Sequence, residues 1–294
     1  MLDNLSYEVY KATSPKASIV VVHGMQEHKG RYKEFATYLK DNGYTVYLYD
    51  LPGHGDSTTK EDRGYFGSNG GWNNLVNSSL EMVNLAKKEN PNLPVVYFGH
   101  SMGTMIGRCF LQNYDELISA MILSGAPTYV DIAPLGKVIA GAIVKTKGKK
   151  ERTHLLTTLA VGGFSKAIKD ARTPLDWLSV NDENVDEYIA DKQCGYPFTN
   201  QGYADLFDGM VRMNKTSLYR AKNKDLPIYL FGGADDPCIN GEKGLEKTVN
   251  LLKKVGYKNI YTKLYPGLRH ETLKEKCALD VFKDIVAWLN EKVN

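Results

Sequence analysis

The chain has 294 residues, of which 43% are hydrophobic and 24% charged, and its formal net charge is +3. These proportions are ordinary for a globular protein, and the length suits one large α/β domain with an insertion, or two domains. No apolar run approaches the roughly 20 residues that span a bilayer, and no basic motif with interleaved aromatic residues is present. We therefore expect neither a membrane-spanning helix nor a nucleic-acid partner.

The cysteines and the N-terminus indicate the compartment. The four cysteines show no CxxC pairing and no regular spacing, which favours reduced thiols. Residues 1–8 contain early acids and no apolar core, so they do not have the pattern of a signal peptide. We therefore expect a cytoplasmic protein.

The first strong strand is predicted over Ala17–Val22, and it leads directly into His23, Gly24 and Met25. A glycine just after a strand lets the backbone turn and direct an N–H group outward. The backbone N–H of Met25 is therefore a candidate hydrogen-bond donor. The alternative is an ordinary loop between a strand and a helix.

His23, Glu27 and His28 raise the question of a metal site. The helical zinc motifs need their ligands on one face of a helix. Here the spacing is one residue too long, and the segment follows a strand and contains a glycine. The sequence therefore predicts no metal ion.

Helices and strands continue to alternate along the chain. Residue spacing predicts a helix over Arg31–Lys40, a strand over Tyr44–Tyr49 and a helix over Trp72–Glu89. Gly53 and Gly55 lie in the loop after the strand and resemble the start of a dinucleotide fingerprint. Thr58 stands where the third glycine of that fingerprint belongs, so we expect no nucleotide cofactor.

The next strand is predicted over the apolar run Val95–Phe98, and a buried helix is predicted after Gly103. The turn between them reads Gly-x-Ser-x-Gly, with Ser101 at its centre. Between a strand and a helix this pattern is the nucleophile elbow of α/β-hydrolases. Ser101 is therefore the candidate nucleophile, and the alternative is a plain glycine-rich turn. In this fold the backbone N–H of the residue after the nucleophile, here Met102, shares the oxyanion hole with one from the first loop, here Met25.

The pattern of elements predicts an α/β-hydrolase fold, which has a mostly parallel central sheet flanked by helices, with an inserted helical cap. The remaining predicted elements are strands over Ala120–Ser124, Leu226–Gly233 and Ile260–Tyr265 and helices over Lys243–Val255 and Ala278–Leu289. Between the first two of these strands the alternation stops, and the segment is helical in pattern and rich in aromatic residues. We therefore assign 1–127 and 216–294 to the core and 128–215 to the cap.

Within the cap, an apolar helix is predicted over residues 135–144, and a basic cluster follows it: Lys145, Lys147, Lys149, Lys150 and Arg152. An apolar face beside basic residues can dock on an anionic lipid surface. The alternative, which the pattern favours, is a cap helix packed over an acyl pocket and followed by a solvated charged loop.

A serine hydroxyl needs a base that takes its proton, and the base needs a carboxylate that orients it. In this fold the order along the chain is serine, acid, histidine. Two histidines follow Ser101, namely His154 in the cap and His270 after the last predicted strand. His270 is the candidate base. The acid should follow the strand before it, where Asp235 and Asp236 compete.

A resemblance to a known family is carried by six segments of the chain: 23–32, 50–57, 99–103, 173–179, 194–199 and 264–271. Together they resemble the monoacylglycerol lipase and lysophospholipase group of serine α/β-hydrolases. The similarity covers most of the chain and is weakest over 131–169. The acid motif of the group is often Asp-Pro-Val, and Asp236-Pro237-Cys238 matches it except for the cysteine. The resemblance therefore favours Asp236 over Asp235.

The resemblance implies a carboxylic-ester hydrolase for a small, lipid-like monoester, with monoacylglycerol and lysophospholipid as the first two substrate candidates. It implies acyl transfer through Ser101, His270 and Asp236, with the amides of Met25 and Met102 as the oxyanion hole. It implies neither a metal nor an organic cofactor.

Three alternatives stay open at this point. The first is an esterase for short-chain or aromatic esters. The second is an aminopeptidase-like serine hydrolase, which needs acidic groups for the amine of its substrate. An acidic run in the cap could supply such groups, and it consists of Asp182, Glu183, Asp186 and Glu187. We take this run as a solvated face. The third is a binding module without catalysis, which would usually lack part of the triad.

Overall fold

The structure, a computed structural model, describes residues 4–68 and 70–293. Its strands are β1 (Tyr7–Tyr10), β2 (Ala17–Val22), β3 (Tyr44–Tyr49), β4 (Val95–His100), β5 (Ala120–Ser124), β6 (Ile228–Gly233) and β7 (Ile260–Tyr265). They form one sheet of seven strands in the order β1-β3-β2-β4-β5-β6-β7. β1 runs antiparallel to β3, and every other neighbouring pair is parallel.

The α-helices of the described ranges are α1 (Lys33–Asp41), α2 (Gly71–Glu89), α3 (Met102–Tyr114), α4 (Ala133–Lys147), α5 (His154–Val161), α6 (Asp182–Ala190), α7 (Asn200–Met213), α8 (Gly241–Val255) and α9 (Ala278–Lys292). Among these helices, none combines the length and apolar character that crossing a membrane requires.

Helices cover both faces of the sheet because its central strands are apolar on both sides. Val20 belongs to the core cluster that contains side chains of α2, α3 and α8, whereas its neighbour Val21 belongs to the cluster formed with α1 and α9. Adjacent side chains on a strand point to opposite faces, so a continuous apolar strand needs cover on each side. The predicted α/β-hydrolase architecture is confirmed, and β2, β3, β5 and β7 have the predicted bounds.

The sequence prediction misplaces the start of one helix and omits one strand. The helix expected from Arg31 begins at Lys33, because residues 29–32 form a 3₁₀ turn in which the His28 side chain accepts a hydrogen bond from the N–H of Gly30. The short strand β1 is not predicted at all. Its four residues are partly exposed, so they lack the apolar run that marks the buried strands.

The helices α4 to α7 lie between β5 and β6, in the segment assigned to the cap. α7 packs against α2 and α3, and its Leu206, Phe207 and Met213 belong to the same core cluster as the side chains of those helices. The apolar core is therefore continuous across the proposed boundary. The division into 1–127, 128–215 and 216–294 stays a prediction.

Candidate active site

Ser101 occupies a strained turn between β4 and α3. Its backbone has φ 50° and ψ −115°, and a conformation of this kind costs about 1–3 kcal/mol and is concentrated at functional sites. Gly103 makes the turn possible, because a Cβ atom there would lie 2.1 Å from the carbonyl oxygen of Val22. The sharp turn therefore places the serine at the end of β4, as the elbow pattern predicts.

His270 and Asp236 meet beyond the ends of β7 and β6. His270 Nδ1 lies 2.8 Å from Asp236 Oδ2, and the exposed fractions of the two side chains are 2% and 0%. The second carboxylate oxygen, Oδ1, accepts a hydrogen bond from the N–H of Cys238 at 2.8 Å. Both oxygens are thus engaged. Because Nδ1 is engaged by the carboxylate, Nε2 is the ring nitrogen left to take a proton.

The structure brings Asp236, and not Asp235, to the imidazole. Asp235 is exposed, and its backbone N–H donates to the carbonyl of Leu268 at 3.0 Å. Asp236 is buried, with an exposed fraction of 1%. The two neighbouring carboxylates therefore lie in different surroundings, one in solvent and one against His270.

The electrostatics of the site keep one histidine basic and the other neutral. Burial alone would lower the pKa of His270, but the charge of Asp236 and the hydrogen bond to it raise that pKa above its ordinary value. The His100 ring lies beside it, with ring centroids 4.8 Å apart. Burial, and then the neighbouring His270, lower the pKa of His100 to about 4. His100 is therefore uncharged at neutral pH.

Ser101 and His270 line one cavity with a volume of about 270 Å³. Much of its wall is apolar and comes from α3 and from the segment assigned to the cap: Met105, Val161, Phe164, Leu175, Trp177, Leu206 and Met210. Over the described ranges, the hydrogen bond of the His270 ring runs to Asp236, and none joins it to Ser101. Catalytic hydrogen bonds are often long in unliganded enzymes and shorten in the reacting complex.

The two candidate oxyanion donors belong to residues that line this cavity, Met25 and Met102. Met102 is the first residue of α3, and the first N–H groups of a helix have no partner within it and carry partial positive charge. The partial positive charge at this helix N-terminus would stabilise an oxygen that becomes negative next to Ser101. The role of the two N–H groups as an oxyanion hole stays a prediction.

The sequence did not indicate a buried ionic network that borders the same cavity. Arg31 Nη1 lies 3.0 Å from Glu27 Oε2, and Arg31 Nη2 lies 2.8 Å from Glu271 Oε2. Burial alone would raise the pKa of Glu27, but the guanidinium of Arg31 lowers it to about 2. The spacing of four residues between Glu27 and Arg31 was the available signal. No sequence pattern indicated the second partner, Glu271, which lies in a distant loop.

Two clusters of the described residues carry side chains that could ligate a metal: His28, Asp191 and Cys194, and Asp236, Cys238 and His270. The second contains the His270–Asp236 pair. In the first, His28 Nε2 lies 2.8 Å from Asp191 Oδ2, and Nδ1 accepts from the N–H of Gly30 at 3.2 Å. His28 Nε2 therefore carries the proton, and hydrogen bonds account for the ring without an ion.

Known proteins match nearly the whole chain. Residues 13–277 match the profile of the family described as serine aminopeptidase, S33. Phospholipase YtpA of Bacillus subtilis (strain 168) is 35% identical over 288 residues, which cover 97% of this chain and 99% of that protein. Monoacylglycerol lipase of Mycolicibacterium smegmatis is 28% identical over 292 residues, with 96% and 91% of the two chains covered.

A solved structure shows the same fold. The highly thermostable carboxyl esterase from Bacillus coagulans matches with a TM-score of 0.92 at 24% identity, covering 99% of this chain and 94% of its own. The resemblance stated from the sequence is thereby confirmed. The chain belongs to the serine aminopeptidase S33 family of α/β-hydrolases.

Proposed function

We propose that this protein hydrolyses lipid-like carboxylic monoesters, of the monoacylglycerol or lysophospholipid type, through an acyl-enzyme on Ser101. One observation carries the proposal: a largely apolar cavity is lined by both Ser101 and the histidine of the buried His270–Asp236 pair. An apolar wall suits an acyl chain, and the few polar groups at one place suit the ester. The names of the lipase and phospholipase relatives support the same substrate class.

Acylation would proceed in two stages. Ser101 Oγ attacks the ester carbonyl carbon while His270 Nε2 takes the serine proton, and Asp236 stabilises the charged imidazole. The carbonyl oxygen becomes negative and accepts hydrogen bonds from the N–H groups of Met25 and Met102. The bond to the alcohol oxygen then breaks, and His270 gives its proton to the departing alcohol. The acyl group stays on Ser101.

Deacylation repeats these stages with water. His270 takes a proton from a water molecule while the water oxygen attacks the acyl carbonyl carbon. The second adduct breaks its bond to Ser101 Oγ, which regains a proton from His270, and the carboxylic acid leaves. Side chains and backbone groups of this chain supply every step, so the proposal names no metal and no cofactor.

The family description raises the alternative of an aminopeptidase. Among the described residues, the acids that line the cavity are Glu27 and Glu271, and both pair with Arg31. The acidic run of α6 lies in solvent, where the exposed Asp186 pairs with the exposed Arg172. Both cavity carboxylates are already hydrogen-bonded to Arg31, and the acidic run of α6 does not line the cavity, which favours the ester.

Labelling with a fluorophosphonate and a panel of esters tests the proposal. We expect the probe to label the protein and turnover to rise from acetyl to decanoyl chains in glycerol monoesters. A lack of labelling would support the binding module. Fastest turnover of acetyl or aromatic esters would support the short-chain esterase. Preference for an amide that carries a free amine would support the aminopeptidase.

A cytoplasmic location belongs to the same proposal. Cys109, Cys194, Cys238 and Cys277 are all free thiols, which is typical of proteins from reducing compartments.

An apolar surface on the cap supports a further part of the proposal, which is peripheral contact with lipid. We define the α4 patch as four exposed apolar side chains on or just before α4. Their exposed fractions are 48% for Val130, 64% for Ile132, 53% for Leu135 and 68% for Val138. Lys145, Lys147 and Lys149 lie at the end of the same helix and just after it, and they are exposed. An apolar face beside exposed lysines favours an anionic bilayer.

Charged substitution in the α4 patch is expected to weaken vesicle binding. Val138→Asp removes an apolar side chain that would enter the bilayer, so the partition coefficient onto phosphatidylglycerol vesicles should fall about tenfold or more. Co-sedimentation measures the bound fraction. Leu279→Asp, at an exposed leucine of α9 (51%), is the matched control and should bind like the wild type. Equal recovery on neutral vesicles at high salt would reject the contact.

A further inference from the structure

The carbonyl group of Gln26 receives two hydrogen bonds from the segment assigned to the cap. The hydroxyl of Tyr188, on α6, donates to it at 2.9 Å. The backbone N–H of Gly195 donates to the same oxygen at 3.0 Å. Gln26 directly follows Met25 along the chain. The cap segment therefore holds the loop that carries one of the two proposed oxyanion donors.

Gln26 depends on such support because its backbone is strained. Its φ of 58° lies in the left-handed region, which costs a residue with a side chain about 1–2 kcal/mol. Residues keep such a conformation where the surrounding structure over-determines it. The two hydrogen bonds to the Gln26 carbonyl are of this kind.

The other end of the loop is anchored by Glu27. Its Oε1 accepts a hydrogen bond from the N–H of Gly24, and its Oε2 lies 3.0 Å from the Arg31 guanidinium. Met25 thus lies between two fixed points, the Gly24 N–H on one side and the Gln26 carbonyl on the other. A backbone held at both ends leaves little freedom for the N–H between them.

Tyr188 is suited to act as the anchor on the cap side. Its exposed fraction is 5%, and the Arg31 guanidinium carbon lies 4.9 Å from the centre of its ring, within the range of a cation–π contact. Burial raises the pKa of Tyr188 well above its ordinary value. The hydroxyl therefore remains a hydrogen-bond donor throughout the pH range in which an esterase is assayed.

We infer that Tyr188 is a positioning residue for the oxyanion hole: through the Gln26 carbonyl it holds the Met25 N–H in place beside the cavity that contains Ser101. The inference rests on the proposed function, since it assigns the oxyanion donor that the hydrolysis would use. It makes the cap a part of the catalytic geometry, in addition to a cover for the acyl chain.

The test is Tyr188→Phe, which keeps the ring beside Arg31 and removes the hydroxyl alone. Loss of a whole oxyanion donor lowers kcat by about 10²–10³-fold, so a loosened donor should lower it by about tenfold to a hundredfold. We expect this fall for p-nitrophenyl butyrate, with KM within about twofold of the wild type. Inhibition by a butyl trifluoromethyl ketone, which forms a tetrahedral adduct on the serine, should weaken by a similar factor.

The matched control is Tyr196→Phe. The hydroxyl of Tyr196 donates to the carbonyl of Gly53 at 3.3 Å, so its removal leaves the hydrogen bonds from Tyr188 and Gly195 to the Gln26 carbonyl in place. This variant should keep wild-type kcat. Tyr188 also lines the cavity, so a raised KM with unchanged kcat would assign it to substrate contact and overturn the inference. Wild-type kcat in Tyr188→Phe would overturn it equally.

A second variant decides the question if Tyr188→Phe melts early. Gly195 has φ 67°, and an added Cβ would meet the Tyr188 ring at 3.5 Å, an ordinary contact. Gly195→Ala therefore strains the backbone of the second donor without a clash. A fall in kcat at unchanged KM supports the inference, and wild-type kcat overturns it. A wild-type protein that hydrolyses none of the esters contradicts the proposed function instead.

Discussion

Replacing Ser101 with alanine is expected to lower kcat for ester hydrolysis by a factor of about 10⁴–10⁶, because no other group can form the acyl-enzyme. Alanine fits the same backbone turn and removes only the hydroxyl oxygen. The fold should therefore be unchanged, and substrate should still enter the cavity. Release of p-nitrophenol from the butyrate ester, normalised to the concentration of folded protein, gives the rate.

The control for this change is Ser119→Ala, which removes a hydroxyl from an exposed serine just before β5. It should keep wild-type turnover and labelling. Wild-type ester hydrolysis by Ser101→Ala would contradict the whole mechanism. Loss of labelling with retained hydrolysis would show that the probe and the substrate use different groups.

Much of the fold was predictable because the parallel strands are buried on both faces and form short apolar runs. Ala17–Val22 and Ala120–Ser124 stand out in this way, and their bounds match the prediction. The edge strand Tyr7–Tyr10 does not stand out in the sequence. It is partly exposed, and it therefore contains both polar and apolar residues. Its pairing with β3 becomes visible only when the sheet is assembled.

The segment between β5 and β6 was predictable as helical, but its contacts were not. The absence of strand signals after β5 marks where this helical segment begins. The packing of α7 on α2 and α3 depends on contacts between residues far apart along the chain, which leave no local pattern. The hydrogen bond from Tyr188 to Gln26 is of the same kind, since 162 residues separate the two.

The candidate site divides in a similar way. The elbow around Ser101 has a local signature, since Gly103 is required by the close approach of the Val22 carbonyl and Gly99 by that of the Gly103 carbonyl. His270 followed from the chain order of the fold. The network of Arg31 with Glu27 and Glu271 has no comparable signature, because it needs a side chain from a loop 240 residues away. Local geometry leaves a mark on the sequence, and long-range charge pairing leaves a weaker one.

Exchange of Asp236 for asparagine is expected to lower kcat about 10⁴-fold at neutral pH, whereas Asp235→Asn should change it by less than about threefold. The hydrogen bond from the N–H of Cys238 holds Oδ1 of residue 236. In Asp236→Asn this oxygen keeps its partner, so the NH₂ group faces His270 Nδ1. Nδ1 must then accept a hydrogen bond from this NH₂ group, so the ring proton moves to Nε2. With Nε2 protonated, the ring can no longer take the proton of Ser101.

The pH dependence of the same variant separates the loss of the carboxylate from a general disturbance. The charge of Asp236 raises the pKa of His270 against the opposing effect of burial, and the base must be neutral to act. Removing the charge therefore lowers this pKa, so the acid limb of the kcat/KM profile should move to lower pH in Asp236→Asn and stay in place in Asp235→Asn. A profile that moves in Asp235→Asn instead would assign the acid to the exposed neighbour. Reduced kcat in Asp236→Asn with an unmoved acid limb would mean that the carboxylate positions the ring without setting its basicity.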